Sequence, residues 1–198
     1  MKQDIVRQRL IDGAICVIAK DGLEKATTKQ IATQTSINEV YIYRCFADKE
    51  DLFAKVFDTL DEELASKTLQ YISVMNTPDL DFEIRCRLYF SAIWSFLLGS
   101  KERCLAYVRY FYSPYFLNYS AEGHERRYQA VVKSFRPAFK EEADVWMILN
   151  HILNVMLDFA VKVHNGQMSS TDNYVEHVFR VVYRSVEQYF KNTEKGNY

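Results

Sequence analysis

Helix-breaking residues are scarce in this sequence, and that scarcity constrains its fold more than any other feature. The chain has 198 residues, of which only 6 are Gly and 3 are Pro. Between these breakers the apolar residues recur every three or four positions, a spacing that predicts α-helices rather than strands. We therefore expect an all-α fold of about nine helices.

Turn and capping residues predict where the helices begin and end. Gly22 is expected to close the first helix in the left-handed conformation, and Thr27 or Thr28, Asn38 and Asp48 are candidate N-caps of the next three helices. Pro137 should bend or end the helix that it enters. The predicted helices cover approximately residues 3–20, a stretch of about seven residues after Thr27, 38–46, 49–73, 80–98, 101–112, 120–139, 143–164 and 172–191.

The overall composition is typical of a folded cytoplasmic protein. Lys+Arg 25 nearly balance Asp+Glu 26, and 48% of the residues are hydrophobic. The longest stretches without a charged residue have 13 residues, whereas a membrane-spanning helix needs about 20. The charged N-terminus lacks the apolar region of a secretion signal, and the four cysteines lack CxxC spacing. We expect reduced thiols and no membrane segment.

Catalytic and metal-binding patterns are missing from the sequence. The four histidines are scattered, without the spacing of zinc ligands, and no glycine-rich phosphate loop or nucleophile motif occurs. We expect no enzyme activity, no metal and no cofactor. The acidic run 61–63 is interpreted as a solvated helix surface. His124 is interpreted as an exposed helix residue, with a hydrogen-bond donor facing a ligand as the alternative.

Residues 5–57 carry the most specific pattern. A helix is followed by TTKQIATQTSINEVYIYRCFADKEDLF, in which two short helices flank a tight polar turn, as in helix-turn-helix DNA-binding proteins. The order Thr-Thr, Ile-Ala, turn, Tyr-x-x-Phe and Lys-Glu-x-Leu-Phe resembles the N-terminal domain of the TetR family of transcriptional regulators. The remaining chain is similar to that family in length and helical pattern only.

The resemblance implies DNA-binding roles for individual residues. Side chains matching Thr28, Tyr43 and Lys49 commonly contact the DNA backbone, and those matching Glu39, Val40, Tyr41 and Arg44 face the bases. The family often has Lys-Gly where this chain has Glu39-Val40. Glu39 is either a hydrogen-bond acceptor for a cytosine amine or a residue that favours the start of its helix.

The residues themselves support this interpretation. Ile42 and Phe46 lie four apart and are expected to anchor the recognition helix against Leu10, Ala14 and Ile31. The N-terminus of the second helix, with Thr28 and Lys29, is suited to a phosphate. Residues 1–49 carry a net charge of +2 and the remainder −3, the sign that DNA binding requires. The DNA-binding candidates are Thr28, Lys29, Asn38, Glu39, Val40, Tyr41, Tyr43, Arg44 and Lys49.

Aromatic residues concentrate in the second part of the chain. Residues 107–119 contain seven aromatic side chains, five of them tyrosines. Such density suits a pocket for a small aromatic or apolar effector, and in the TetR family the later helices enclose such a pocket. An aromatic core without a ligand, or a dimer surface, is the alternative. The ligand-binding candidates are Phe90, Trp94, Tyr107, Phe111, Tyr115, Tyr128 and Trp146.

The last two predicted helices each have one apolar face. By analogy with the family, two such helices from each of two subunits form a four-helix bundle, and twofold symmetry then requires palindromic DNA. The same faces can instead close the core of a monomer. The dimerisation candidates are Ile152, Met156, Phe159, Val175, Val178, Val182 and Val186.

These observations predict two domains and one leading function. Residues 1–48 form a three-helix DNA-binding domain, and residues 49–198 form a helical domain for ligand binding and dimerisation. The leading hypothesis is a homodimeric repressor that binds double-stranded DNA and leaves a palindromic operator when an effector binds. The alternatives are a ligand-independent architectural DNA-binding protein and an all-helical enzyme or carrier.

Overall fold

The chain folds into α-helices in a computed structural model that describes residues 2–77 and 79–191. Within that part, nine α-helices and a few short 3-10 and π turns account for the regular structure, which confirms the predicted all-α class. The helices are α1 (Lys2–Asp21), α2 (Thr28–Thr35), α3 (Val40–Cys45), α4 (Lys49–Gln70), α5 (Phe82–Leu98), α6 (Lys101–Phe111), α7 (Ala121–Phe135), α8 (Val145–His164) and α9 (Asp172–Val186).

Most predicted helix ends are confirmed by local contacts. Gly22 has φ 84° after α1, the left-handed geometry expected of its cap. At α4, the Asp51 N–H donates to the Asp48 carboxylate at 2.7 Å. Pro137 lies in a 3-10 turn directly after α7. The predicted C-terminal ends of α4, α7 and α9 lie a few residues beyond the observed ends. Each of these helices is followed by a 3-10 turn, which keeps nearly the same side-chain spacing as an α-helix.

The described residues divide into two compact units, which are described separately. The first unit runs to Leu64 and includes Ser100–Arg126, so it joins α1–α3 with most of α4, with α6 and with the start of α7. The second contains Ala65–Gly99 and the chain from Arg127 onward. These units are defined by packing, and the functional boundary at residues 48 and 49 stays a prediction.

In the first unit, α1 packs against α2, α3 and α6. The Arg109 guanidinium of α6 donates to the Ile18 carbonyl of α1 at 2.7 Å. Arg103 of α6 lies 3.6 Å from the Asp12 carboxylate of α1 and also pairs with Glu63 of α4. Polar contacts therefore attach the helices of the DNA-binding segment to α6.

A buried carboxylate lies at the centre of the first unit. Asp61 of α4 is 0% exposed, and its Oδ1 accepts from the Tyr107 hydroxyl at 3.1 Å and lies 2.9 Å from His124 Nδ1. His124 is only 4% exposed. The predictions that Asp61 is solvated and His124 exposed are wrong, because the two side chains pair inside a group of aromatic rings that one-dimensional spacing does not bring together.

The second unit has an almost wholly apolar core. Ile148 of α8, Val131 of α7 and Val186 of α9 are buried in it, with Tyr89 of α5 packed alongside. The α8 helix is long and apolar enough to cross a membrane by length and composition, yet its residues Val145 and Ile148 are buried in this core. Only 28% of the residues in its most apolar stretch are buried.

The buried pair provides a test of the packing in the first unit. His124→Ala should lower the free energy of unfolding by about 1–3 kcal/mol, because the Asp61 carboxylate loses a partner while remaining buried. Urea unfolding followed by circular dichroism measures the change. His177→Ala, which removes an exposed histidine from α9, is the control and should change the value by less than about 0.5 kcal/mol. Equal effects would contradict the structural role of His124.

Candidate nucleic-acid interface

The α2 and α3 helices form a helix-turn-helix whose geometry is fixed by local hydrogen bonds. The Thr27 hydroxyl accepts from the Gln30 N–H at 3.2 Å, and the Gln30 side chain accepts from the Thr27 N–H at 2.9 Å, which is a capping box. Ser36, with φ 54°, ends α2 in the left-handed region. The turn between the helices is therefore short and well defined.

The α3 helix presents one apolar and one solvent-facing side. Ile42 and Phe46 are buried, as are Leu10, Ala14 and Ile31, which confirms their predicted place in the core. On the other side Asn38, Val40, Tyr41, Tyr43 and Arg44 are exposed, Tyr43 by 59%. Exposed aromatic and branched apolar residues are unfavourable in water, so this surface is suited to a contact with base edges and sugars.

Two contacts organise the exposed side of α3 before any DNA binds. The Arg44 guanidinium lies 4.9 Å from the centroid of the Tyr41 ring, a cation–π arrangement that limits the freedom of both side chains. The Asn38 side-chain oxygen accepts from the Val40 N–H at 3.0 Å. The N-cap position of α3 is Glu39 and not Asn38 as predicted, so the hydrogen bond from Asn38 lies one residue before the cap. The base-reading candidates thus start from a partly ordered surface.

The predicted phosphate contacts lie at two helix N-termini. Lys29 is exposed in the first turn of α2, and Lys49 is the first residue of α4, with its ammonium 5.5 Å from the Phe53 ring centroid. Cations at helix N-termini are positioned to add to the positive end of the helix dipole. The Thr28 hydroxyl is already engaged, because it donates to Glu39 Oε1 at 2.5 Å.

The seven ligand-binding candidates fall into both units. Tyr107, Phe111 and Tyr115 belong to the first unit, where Tyr107 stacks on Phe111 with centroids 5.8 Å apart. In the second unit Tyr128 and Trp146 line one cavity and Phe90 lines another, while Trp94 stacks on Phe90 at 5.8 Å. Their shared role in one effector site stays a prediction.

Two neighbouring cavities lie inside the second unit. One has a volume of about 60 Å³ and the other about 80 Å³. The residues lining both are Tyr89, Phe135, Leu149, Ile152 and Met156. No sequence pattern marked Tyr89 or Leu149 as cavity residues, since apolar residues at helical spacing normally belong to the core.

No side chain that lines either cavity carries a charge at neutral pH. Burial raises the pKa of the Cys86 thiol to about 12, raises that of Tyr183 to about 12 and also raises that of Tyr89. The only other polar side chains in the walls are Thr68, Asn150, Tyr128 and Trp146. The cavities are therefore neutral and apolar.

The dimerisation candidates are mostly inside the second unit itself. Met156, Val178, Val182 and Val186 are buried there, and Ile152, Phe159 and Val175 are half-buried. The apolar residues that α8 and α9 leave exposed are Met147 and Val181, the latter by 54%. Both lie outside the stripes that the sequence pattern selected.

Within residues 2–77 and 79–191, no group of three or more His, Cys, Asp or Glu side chains is placed to hold a metal ion.

The exposed surface of α3 carries the features of a macromolecular contact. A short turn, a buried inner side and an outer side of Tyr, Arg and Asn define a helix-turn-helix DNA-binding protein.

Comparison with known proteins agrees with this class. Residues 10–56 match the family described as bacterial regulatory proteins, tetR family. This match covers the helix-turn-helix segment, that is α2 and α3 with parts of α1 and α4. The nicotine-responsive transcriptional repressor HdnoR of Paenarthrobacter nicotinovorans is 36% identical over 58 residues, which cover 29% of this chain and 30% of that protein.

Solved structures extend the similarity of fold to nearly the whole chain. A TetR family regulator from Marinobacter aquaeolei VT8 has a TM-score of 0.70 at 15% identity and covers 93% of this chain and 98% of its own. The regulator FadR from Bacillus subtilis, in complex with stearoyl-CoA, has a TM-score of 0.66 at 18% identity and covers 88% and 96%. The identities are low, so these two comparisons concern the fold.

Lys49 provides a test of the predicted phosphate contact. Lys49→Ala should weaken binding to all DNA sequences about equally and reduce the slope of log K against log salt by about 1, because one phosphate loses its cation. Fluorescence anisotropy on labelled duplexes at several salt concentrations measures both quantities. Lys101→Ala removes an exposed cation from α6 and should leave the slope unchanged; a matching decrease would contradict a specific role for Lys49.

Proposed function

We propose that the protein is a homodimeric transcriptional repressor, working in the cytoplasm, that binds a palindromic operator and leaves it when an apolar effector binds the second unit. The exposed side of α3 carries this proposal, since Tyr43 and Tyr41 face solvent on a helix whose other side is buried. A transcription factor is favoured over an enzyme, because the buried carboxyl and imidazole groups, Asp61 and His124, bond to each other.

Base recognition is assigned to the exposed side of α3. Arg44 has the donor geometry for a guanine, and Val40 and Tyr41 are suited to thymine methyl groups or sugars. Lys29, Lys49 and Tyr43 are assigned to the phosphate backbone. With a net charge of only +2 in residues 1–49, one subunit has few cations to offer, so doubling the contacts in a dimer supplies much of the affinity.

The effector is assigned to the two cavities of the second unit. HdnoR is named as nicotine-responsive, and FadR was solved with stearoyl-CoA, so relatives of this chain respond to or bind organic molecules. The uncharged walls here favour a neutral, apolar effector over a cation, because no carboxylate lines either cavity. Placing a charge there without a partner would be strongly unfavourable.

The size of the cavities connects effector binding to conformational change. Their volumes of about 60 Å³ and 80 Å³ are well below the roughly 300–1,000 Å³ of a usual ligand pocket. An effector therefore has to move shared wall residues such as Ile152 and Met156 and merge the two spaces. An effector that binds the expanded state better shifts the population towards it, and helices α4 and α7, which contribute to both units, would transmit the change.

Dimerisation is assigned to the outer sides of α8 and α9. Few residues of the apolar stretch in α8 are buried, and Met147 and Val181 are exposed. The His151 ring nitrogen lies 3.0 Å from the Ser185 hydroxyl oxygen, which links the two helices on their exposed sides. A second copy of the chain would cover these apolar residues with the same surface, as twofold symmetry requires.

Enlarging a wall residue tests the effector site. Ile152→Phe should weaken or abolish binding of straight-chain alcohols, used as neutral apolar probes, because the added ring fills the space where the cavities meet. Isothermal calorimetry measures binding, and anisotropy measures release of DNA. Ile84→Phe, at an exposed position of α5, is the control. If no alcohol binds the unaltered protein or shifts its DNA affinity, the ligand-independent architectural function is favoured.

A charge on the exposed side of α9 tests the dimer. Val181→Glu should convert the protein to monomers, because each interface would have to bury an unpaired carboxylate. Sedimentation velocity measures the state of assembly, and circular dichroism checks that the helices persist. Ile84→Glu adds the same charge to an exposed position of α5 and should leave the dimer intact. A dimer that tolerates Val181→Glu would rule out this surface.

A further inference from the structure

Glu39 is the one acidic residue among the DNA-binding candidates, and its side chain is already committed. Its Oε1 accepts a hydrogen bond of 2.5 Å from the hydroxyl of Thr28, the first residue of α2. Glu39 is half-buried, whereas Asn38 before it and Val40 after it are exposed. The carboxylate thus lies against the start of α2 instead of extending from α3 with its neighbours.

The Thr28 hydroxyl can serve only one acceptor at a time. A threonine hydroxyl has a single proton to donate, and here that proton goes to Glu39. The same hydroxyl, at the N-terminus of α2, is one of the candidates for a contact with a DNA phosphate. An incoming phosphate therefore meets an occupied donor and a negative charge beside it, close to the cation of Lys29 in the same turn.

We propose that the Thr28–Glu39 hydrogen bond is an autoinhibitory contact that lowers affinity for DNA of the wrong sequence and makes Glu39 a specificity-determining residue. This inference rests on the proposed DNA-binding function. On a non-matching duplex nothing attracts the carboxylate away from Thr28, so one phosphate contact is lost and its charge repels the backbone. On the operator, a cytosine amine donates to Glu39, and the freed hydroxyl of Thr28 donates to phosphate.

Three possible roles of Glu39 predict different DNA affinities when its charge is removed. If Glu39 only read a base, its loss would weaken operator binding and leave non-matching DNA unaffected. If it only held α2 and α3 together, a neutral isostere would change neither affinity. An autoinhibitory carboxylate instead predicts a gain in affinity for non-matching DNA when its charge is removed.

The experiment compares two duplexes and two charge-removing variants. The operator duplex is selected by the unaltered protein from random sequence, and the second duplex is a scrambled version of it. Glu39→Gln should raise affinity for the scrambled duplex about tenfold, since a like-charge contact is removed, and should steepen its salt slope. Operator affinity should gain less, so the ratio of the two affinities falls. Glu24→Gln, at an exposed position in the same unit, is the control for net charge.

A second variant tests whether Glu39 lowers affinity for non-matching DNA through its hydrogen bond with Thr28. Thr28→Val preserves shape and removes the donor. In that background Glu39→Gln should have a clearly smaller effect on the scrambled duplex, because no phosphate-binding hydroxyl remains to be released. Fully additive effects, an unchanged affinity ratio in Glu39→Gln, or an equal gain in Glu24→Gln would overturn the inference. If the unaltered protein selects no sequence and binds no duplex in a salt-dependent way, the proposed function itself fails.

Discussion

The buried Asp61 carboxylate is the interaction on which the first unit depends. A carboxylate away from water is tolerated only when hydrogen bonds replace its hydration, and Tyr107 and His124 provide them from α6 and α7. Phe57, Phe111 and Phe116 surround His124 at centroid distances of 5.5–6.3 Å. Hydrogen bonds have directional requirements that apolar packing lacks, so this site fixes the positions of three helices. Arg109 and Arg103 of α6 in turn hold α1. Because α2 and α3 pack against α1, these contacts also define the position of the helix-turn-helix.

The second unit is built on the opposite principle. Its core has few directional contacts, and Met156, Ile152 and Leu149 are shared between two small cavities. Methionine and other flexible apolar side chains repack at low free-energy cost. A protein that has to respond to an effector benefits from such a division, because a rigid DNA-reading unit preserves recognition while a deformable unit admits a ligand. How strongly a ligand changes DNA affinity then depends on the difference in its affinity for the conformations of the deformable unit that favour and disfavour DNA binding.

Local features of the sequence predicted local structure well and distant pairing poorly. The Thr27–Gln30 and Asp48–Asp51 caps and the left-handed Gly22 depend on residues within a few positions of each other, and all are present. Asp61 and His124 were misjudged because burial depends on helices far apart in sequence. The apolar stripe of α9 had two permissible partners, the chain's own core or a second copy. A hydrophobic pattern identifies which side of a helix is apolar, but it does not identify what covers that side. Val182 is buried in the chain's own core and Val181 is exposed, although both are valines of the same helix.

The charge of the DNA-binding segment gives Glu39 a physical rationale. Attraction between cations and phosphates acts on every sequence alike, so a segment with abundant cations binds much of the genome. A net charge of +2 in residues 1–49 and a carboxylate on the Thr28 hydroxyl both reduce that general attraction. The specificity of a regulator depends on the difference between operator and non-matching affinities. Lowering the affinity for non-matching DNA increases specificity as effectively as raising the affinity for the operator. It requires only one acidic side chain, Glu39, whose alternative partner is a base amine that the operator alone presents at that position.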